Sequence, residues 1–297
     1  MTIAEELKTT FKSGSILASL IYINIGFFLL AKILNVFYFF YETSGSDEIF
    51  LKWFAVPASL SELIIKPWTL ITYMFLHLNF IHILFNMLWL FSFGKIFLSF
   101  LDKKKLLSIY LMGGLAGAFL YILSFNLFPV FESTREMSVA LGASASVMAI
   151  VVAISSYIPN HPVYMPFLGS VKIKYFAIVF IISDLLFIYN HSGNLGGHIA
   201  HLGGALFGFY YIYQLKKGKD ISKGFNRLMN SFFTLFKKRS KLKVTHKRAE
   251  TDMDYNVRKA AEQKEINKIL DKIAKSGYDS LTKDEKEQLF RMSNKNK

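Results

Sequence analysis

Six stretches of this chain, residues 15–41, 80–101, 106–128, 138–158, 171–189 and 196–215, are almost continuously apolar. A bilayer's hydrocarbon core is about 30 Å thick, so about 20 apolar residues in a helix cross it. Inside lipid every backbone N–H and C=O must be paired within the chain, which leaves helices for segments of this length. The pattern predicts an all-α, multi-pass membrane protein with six transmembrane helices and both ends on one side. The first run is too long for a secretory signal and lacks a small-residue cleavage site. With 53% hydrophobic residues and 30 Phe, the chain is too oily for a two-domain soluble enzyme.

The charge is segregated. Residues 216–297 carry 23 Lys and Arg against 11 Asp and Glu, while residues 1–215 carry 12 against 10. Cytoplasmic loops of membrane proteins are rich in Lys and Arg. Lys8, Lys12, Lys103, Lys104, Lys105, Lys172 and Lys174 all fall on the side of the basic tail. Both termini are therefore predicted to be cytoplasmic, in a plasma (inner) membrane. The divisions follow: an N-terminal segment 1–14, a membrane domain 15–215 with a long external loop at 42–72, a basic amphipathic helix and linker 216–254, and a small helical hairpin 255–297. The external loop holds Trp53, Trp68, Pro57 and Pro67 among apolar and charged residues, a mixture that suits the membrane interface. In the tail, Ile221, Phe225, Leu228, Met229, Phe232, Phe233 and Phe236 recur at helical spacing among basic residues, which predicts a helix on anionic lipid. Thr282 and Glu285 have capping-box spacing. No nucleic-acid motif is present, and the lack of Cys excludes disulfides, thiolate metal sites and a Cys nucleophile.

Polar residues within apolar runs need a reason, because burying them in lipid is costly. Four places stand out: His77 to Asn86, Gly142 to Ser146, His198 to Gly204, and Asp184. His82 and Asn86 are four apart and share a helix face. A serine needs a neighbouring base to act as a nucleophile, histidine is suited to that role, and donors such as His and Asn can hold an oxyanion. Gly204 and Gly208 have the small-xxx-small spacing that lets helices approach closely. Ser146 is the rival serine, but two residues on it is turned about 200° from Ser144 on a helix. His198 rivals His201, and is expected near the outer, solvated end. A metal held by His198 and His201 lacks further ligands at suitable spacing. Asp184 is expected to be neutral, paired, or facing a water-filled cavity.

Pro67-Trp68, His77-x4-His82-x3-Asn86, Gly142-Ala-Ser144 and Ala200-His201-x2-Gly204-x3-Gly208 occur in order on the second, fourth and sixth runs. In this the chain resembles the rhomboid intramembrane serine proteases over about residues 15–215. The resemblance implies a six-helix bundle that hydrolyses peptide bonds in or near transmembrane segments of other proteins, with no cofactor and no metal. Ser144 would be the nucleophile and His201 the base, with no acidic third member. His82 and Asn86, with the Ser144 N–H, would form the oxyanion hole, and Gly142, Gly204 and Gly208 would pack the helices around the dyad. Partners would be transmembrane substrates and lipid. A non-cleaving rhomboid-like protein that binds or escorts transmembrane clients is the alternative, against which both Ser144 and His201 stand. The chain departs from the family pattern at Thr69, Ala145, Met148 and Val152.

Overall fold

The computed structural model describes residues 15–41, 46–165, 169–189, 194–227, 231 and 251–295. The N-terminal segment with Lys8 and Lys12 lies outside these, as does the tail helix expected from Ile221 to Phe236 beyond Arg227, apart from Ser231. The chain divides into two compact units, Met1–Phe236 and Lys237–Lys297.

The first unit is built on six helices: α1 (Ile16–Phe40), α5 (Phe80–Phe100), α6 (Lys103–Leu127), α7 (Ser144–Tyr157), α8 (Lys174–Tyr189) and α9 (Leu195–Lys216). Within the segment expected as an external loop lie α2 (Ser46–Phe54), α3 (Leu60–Ile65) and α4 (Thr69–Thr72). Among the described residues α1, α5 and α6 are long and apolar enough to cross a membrane. Exposed faces are apolar, as at Leu29, Ile33 and Phe37 on α1, while Asn24, Asn86, Ser108, Ser146 and Asp184 are buried. That distribution suits lipid outside and polar pairing within.

Starts and stops follow local chemistry. The Asp102 side chain caps α6, accepting from the Lys104 and Lys105 N–H groups at 2.9 and 3.0 Å. Asn79 caps α5, accepting from the Ile81 and His82 N–H groups. Such caps satisfy N–H groups that have no partner within the helix.

Two expectations of pure helix are corrected. The fourth run is helical only from Ser144, because Val139–Ala140 (β2) pairs antiparallel with Val56–Pro57 (β1) and Gly142 turns the chain at φ 116°. The fifth run is helical only from Lys174. Val171 and Lys172 belong to a strand, Gly169–Lys172 (β4), paired with Pro162–Met165 (β3). β-Branched and aromatic residues there favour pleated backbone over helix.

α7 is the hub. Residues Ala145 to Ser155 are buried without interruption, and α5, α6, α8 and α9 all pack on it. Small residues make this possible. A Cβ on Gly204 would lie 2.1 Å from the Ala145 carbonyl oxygen, and one on Gly208 would lie 2.2 Å from that of Ala149. From the other side a Cβ on Gly113 would lie 2.3 Å from the Ala149 methyl, and one on Gly117 would lie 2.6 Å from the Ala145 methyl. The close approach of α7 and α9 is thus made at Ala145 and Ala149.

The segment between α1 and α5 is held by its own contacts. Trp53 and Trp68 stack 6.2 Å apart with planes 9° from parallel, and Trp68 Nε1 donates to the Trp53 carbonyl at 2.8 Å. Thr72 Oγ1 donates to the Phe54 carbonyl at 2.9 Å.

In the second unit, α10 (Asp252–Ser276) and α11 (Lys283–Lys295) form a hairpin. Gly277 takes φ 76° at the stop. Glu285 accepts from the Thr282 N–H at 2.8 Å, and Lys272 Nζ donates to Glu285 at 2.8 Å. Ile269 and Leu281 form its buried seam.

Candidate active site

Ser144 is the first residue of α7, directly after a loop fixed at three points. β2 is held to β1; the Gly142 N–H donates to the Tyr73 carbonyl at 2.9 Å; the Ala143 N–H donates to His77 Nε2 at 3.3 Å. Burial, reinforced by the neighbouring His82, pushes His77 down to about 3. It is therefore neutral at physiological pH and able to accept that bond. No side chain caps α7, so its first N–H groups are unpaired within the helix and form its positive end. Ser144 sits among them.

Ser144 and His201 line one cavity of about 260 Å³, together with Asn86, Trp89, Met148 and Phe180. Four helices, α5, α7, α8 and α9, supply this lining. Ser146, the rival, is wholly buried, and its Oγ would meet a Cβ on Gly114 at 2.6 Å. It faces α6, away from the cavity, as the helical turn requires. Asn86 reaches the cavity while its Nδ2 donates to the His82 carbonyl at 3.0 Å, leaving a second amide hydrogen free to donate. The His82 ring sits beside Gly142, where a Cβ would come within 2.7 Å of it and 3.7 Å of Ser144 Oγ. Only glycine fits that position, because the backbone is left-handed and an imidazole occupies the side-chain space.

Sequence reasoning missed the other side of His201. Asp184 on α8 is buried, and its Oδ1 lies within hydrogen-bond distance of His201 Nδ1, at 2.9 Å, and of His198 Nδ1, at 2.7 Å. His198 is thus a partly buried partner within α9, not a solvated helix end. Its ring stacks on Phe187 at 5.2 Å. His201 Nε2 is buried with no hydrogen-bond partner. The signal was present: a lone acid in an apolar helix needs a donor, and the His198–His201 pair, three apart on one face, offered two.

These three groups also gather their ligand atoms within 4.8 Å, the third ligand that the pair of histidines lacked in sequence. Their nitrogen–oxygen separations of 2.7 and 2.9 Å are those of shared protons. Tetrahedral zinc, with ligands at about 2.0–2.1 Å, would hold them about 3.3 Å apart.

A six-helix unit with a serine at a buried helix start and a histidine across a cavity defines a class of membrane proteins, and the comparisons give its family. The rhomboid domain matches residues 65–218, more than half of the chain, and the chain belongs to the rhomboid family. It is similar to the presenilin-associated rhomboid-like protein A, mitochondrial, of Danio rerio, with 31% identity over 143 residues, 46% of this chain and 35% of that protein. It is also similar to RHOMBOID-like protein 12, mitochondrial, of Arabidopsis thaliana, with 30% identity over 159 residues, 51% of this chain and 47% of that protein. A Bos taurus presenilin-associated rhomboid-like protein, mitochondrial, is 28% identical over 185 residues, 60% of this chain and 45% of that protein. The chain thus spans less than half the length of each of these relatives. Residues 249–295 match a second family, one of unknown function.

Proposed function

We propose that the chain is an intramembrane serine endopeptidase that cuts transmembrane proteins with Ser144 as nucleophile and His201 as base. The observation that carries this reading is the shared cavity of Ser144 and His201, with His201 Nε2 buried and unpaired. In the reaction Ser144 Oγ attacks the scissile carbonyl while its proton passes to His201 Nε2. The tetrahedral oxyanion is met by Asn86, His82 and the Ser144 N–H. Collapse breaks the C–N bond, and His201 returns the proton to the leaving amine. Water then repeats the sequence on the acyl-enzyme, releasing the acid and restoring Ser144.

Site depth supports intramembrane chemistry. α7 has 14 residues, about 21 Å of helix against a hydrocarbon core of about 30 Å. A helix so short, with neighbours on every side, can begin below the membrane surface. Trp89, Met148, Phe180 and Phe187 give the cavity an apolar wall suited to an apolar peptide. In this reading α1 and α5 to α9 each cross, both ends lie in the cytoplasm beneath a plasma membrane, and the basic residues from Lys216 onward meet anionic lipid.

The test is cleavage of a model transmembrane substrate by the full chain in lipid vesicles. Wild type is expected to cut, and His201→Ala, equally folded, is not. Full cleavage by His201→Ala would remove it as the base; a folded wild type that binds clients without cutting would favour the non-cleaving alternative.

A further inference from the structure

We infer that Asp184 is a positioning residue for the proposed reaction, fixing the ring of His201 so that Nε2 is the nitrogen presented to Ser144. This rests on the reading of Ser144 and His201 as nucleophile and base, and adds a third member from a helix that carries neither.

A neutral imidazole carries one proton, and either ring nitrogen can hold it. If Nε2 held it, His201 could not accept the Ser144 proton. Asp184 Oδ1, 2.9 Å from His201 Nδ1, decides the matter, because a carboxylate can only accept. The proton must lie on Nδ1, and the Nε2 lone pair is left open. The unpartnered state of that nitrogen fits this assignment.

The same contact serves the charge that develops. When the Ser144 proton reaches Nε2, the ring becomes an imidazolium with a carboxylate already beside Nδ1. In a site of low dielectric that pairing is far stronger than in water.

His198 explains how the acid is tolerated and aimed. Asp184 is the only acidic residue of α8, and a buried carboxylate requires donors. Two imidazole nitrogens meet its Oδ1, while its Oδ2 is buried without a hydrogen-bond partner. His198 is itself held by the Phe187 stack, with planes 22° apart. No aromatic residue other than His198 meets the His201 ring among the described residues, and that contact is edge-on at 5.8 Å. Orientation of the base thus depends on Asp184. Because Asp184 stands on α8, it depends also on how α8 is seated against α9.

The experiment uses the full chain, labelled with ¹⁵N-histidine and assigned with single His→Gln variants. Nitrogen NMR reports which ring nitrogen of His201 is protonated. Wild type is expected to show the Nδ1–H form, and Asp184→Asn, whose amide can also donate, to lose it. In parallel, the rate at which a fluorophosphonate modifies Ser144 is expected to fall about 10²–10⁴-fold in Asp184→Asn, the scale set by a misdirected tautomer. Asp184→Glu should recover part of that rate. His198→Gln, which spares the Asp184–His201 bond and keeps a donor beside Asp184, should cost less of that rate than Asp184→Asn. A purely structural clasp between α8 and α9 would move neither the tautomer nor the rescue. Asp184→Asn that reacts at the wild-type rate with an unchanged His201 ring overturns the inference. A folded wild type that is never modified overturns the nucleophile and base reading instead. The NMR arm then still decides the contact, upheld if Asp184→Asn shifts the tautomer and overturned if it does not.

Discussion

Gly204→Ala adds one methyl group between the two helices that carry Ser144 and His201. That methyl would sit 2.1 Å from the Ala145 oxygen, 2.9 Å from its carbonyl carbon and 3.2 Å from its Cα. Ordinary contact begins near 3.4 Å, so α7 and α9 must separate locally by roughly an ångström. The obstacle is backbone, which cannot rotate aside. Overpacking of this kind costs about 1–3 kcal/mol, which a bundle of this size survives. Function should suffer more. Ala145 follows Ser144, Gly204 lies three residues after His201, and a misplacement of about 1 Å between reacting groups can cost about 100-fold in rate. The assay pairs thermal unfolding in detergent with cleavage of a transmembrane substrate. Gly204→Ala is expected to lower the rate about 100-fold with only a modest fall in Tm. Gly208→Ala, one turn further from His201 and 2.2 Å from the Ala149 oxygen, should cost similar stability and less activity. Gly26→Ala, with nothing within 4 Å, should change neither. Gly204→Ala with wild-type activity would refute the claim that backbone contact between α7 and α9 sets the geometry of the pair.

Asn86→Ala should lower kcat about 10²–10³-fold with little change in KM, the usual effect of losing an oxyanion donor; a change confined to KM would make Asn86 a substrate contact. Ser146 Oγ is buried without a partner, and such a hydroxyl costs about 1–3 kcal/mol. Ser146→Ala should therefore keep full activity and unfold at the same or a higher temperature, and an inactive variant would contradict its orientation toward α6. In the tail, the Lys272 ammonium, with the Thr282 N–H, holds the Glu285 carboxyl below its ordinary 4.5. A carboxyl depressed on folding stabilises the hairpin above that ordinary value and loses its effect as pH falls through the folded one. The protection factors of α11 amides in the full chain, exchange rates taken relative to the unfolded rate at the same pH, should therefore fall below pH 4.5, and Glu285→Gln should remove that step; a wild-type response no different from the variant's would contradict it.

What the sequence made legible was local. Long apolar runs located the helices, Thr282 and Glu285 marked the start of α11, and the Ser144–Ser146 spacing separated the two serines. What it hid depended on distant partners. Val139 and Ala140 look like the opening of a helix, but pair with Pro57 and Val56 between α2 and α3, so α7 begins late. Ala145 looked like a departure near the dyad, yet Gly117 on α6 leaves space for its methyl group. Asp184 was visible as a costly residue but had no address, because its donors lie 14 and 17 residues on in another helix. The expectation of a dyad without an acid, taken from the family resemblance, turned attention away from it.

The central claim is that Ser144 is a nucleophile activated by His201. Its most direct test is modification of the purified full chain by a serine-directed fluorophosphonate, run on wild type, Ser144→Ala, Ser146→Ala and His201→Ala. Label on wild type and Ser146→Ala, absent from Ser144→Ala and His201→Ala, is the predicted result. Label that survives Ser144→Ala, or a folded wild type that takes none, would contradict it.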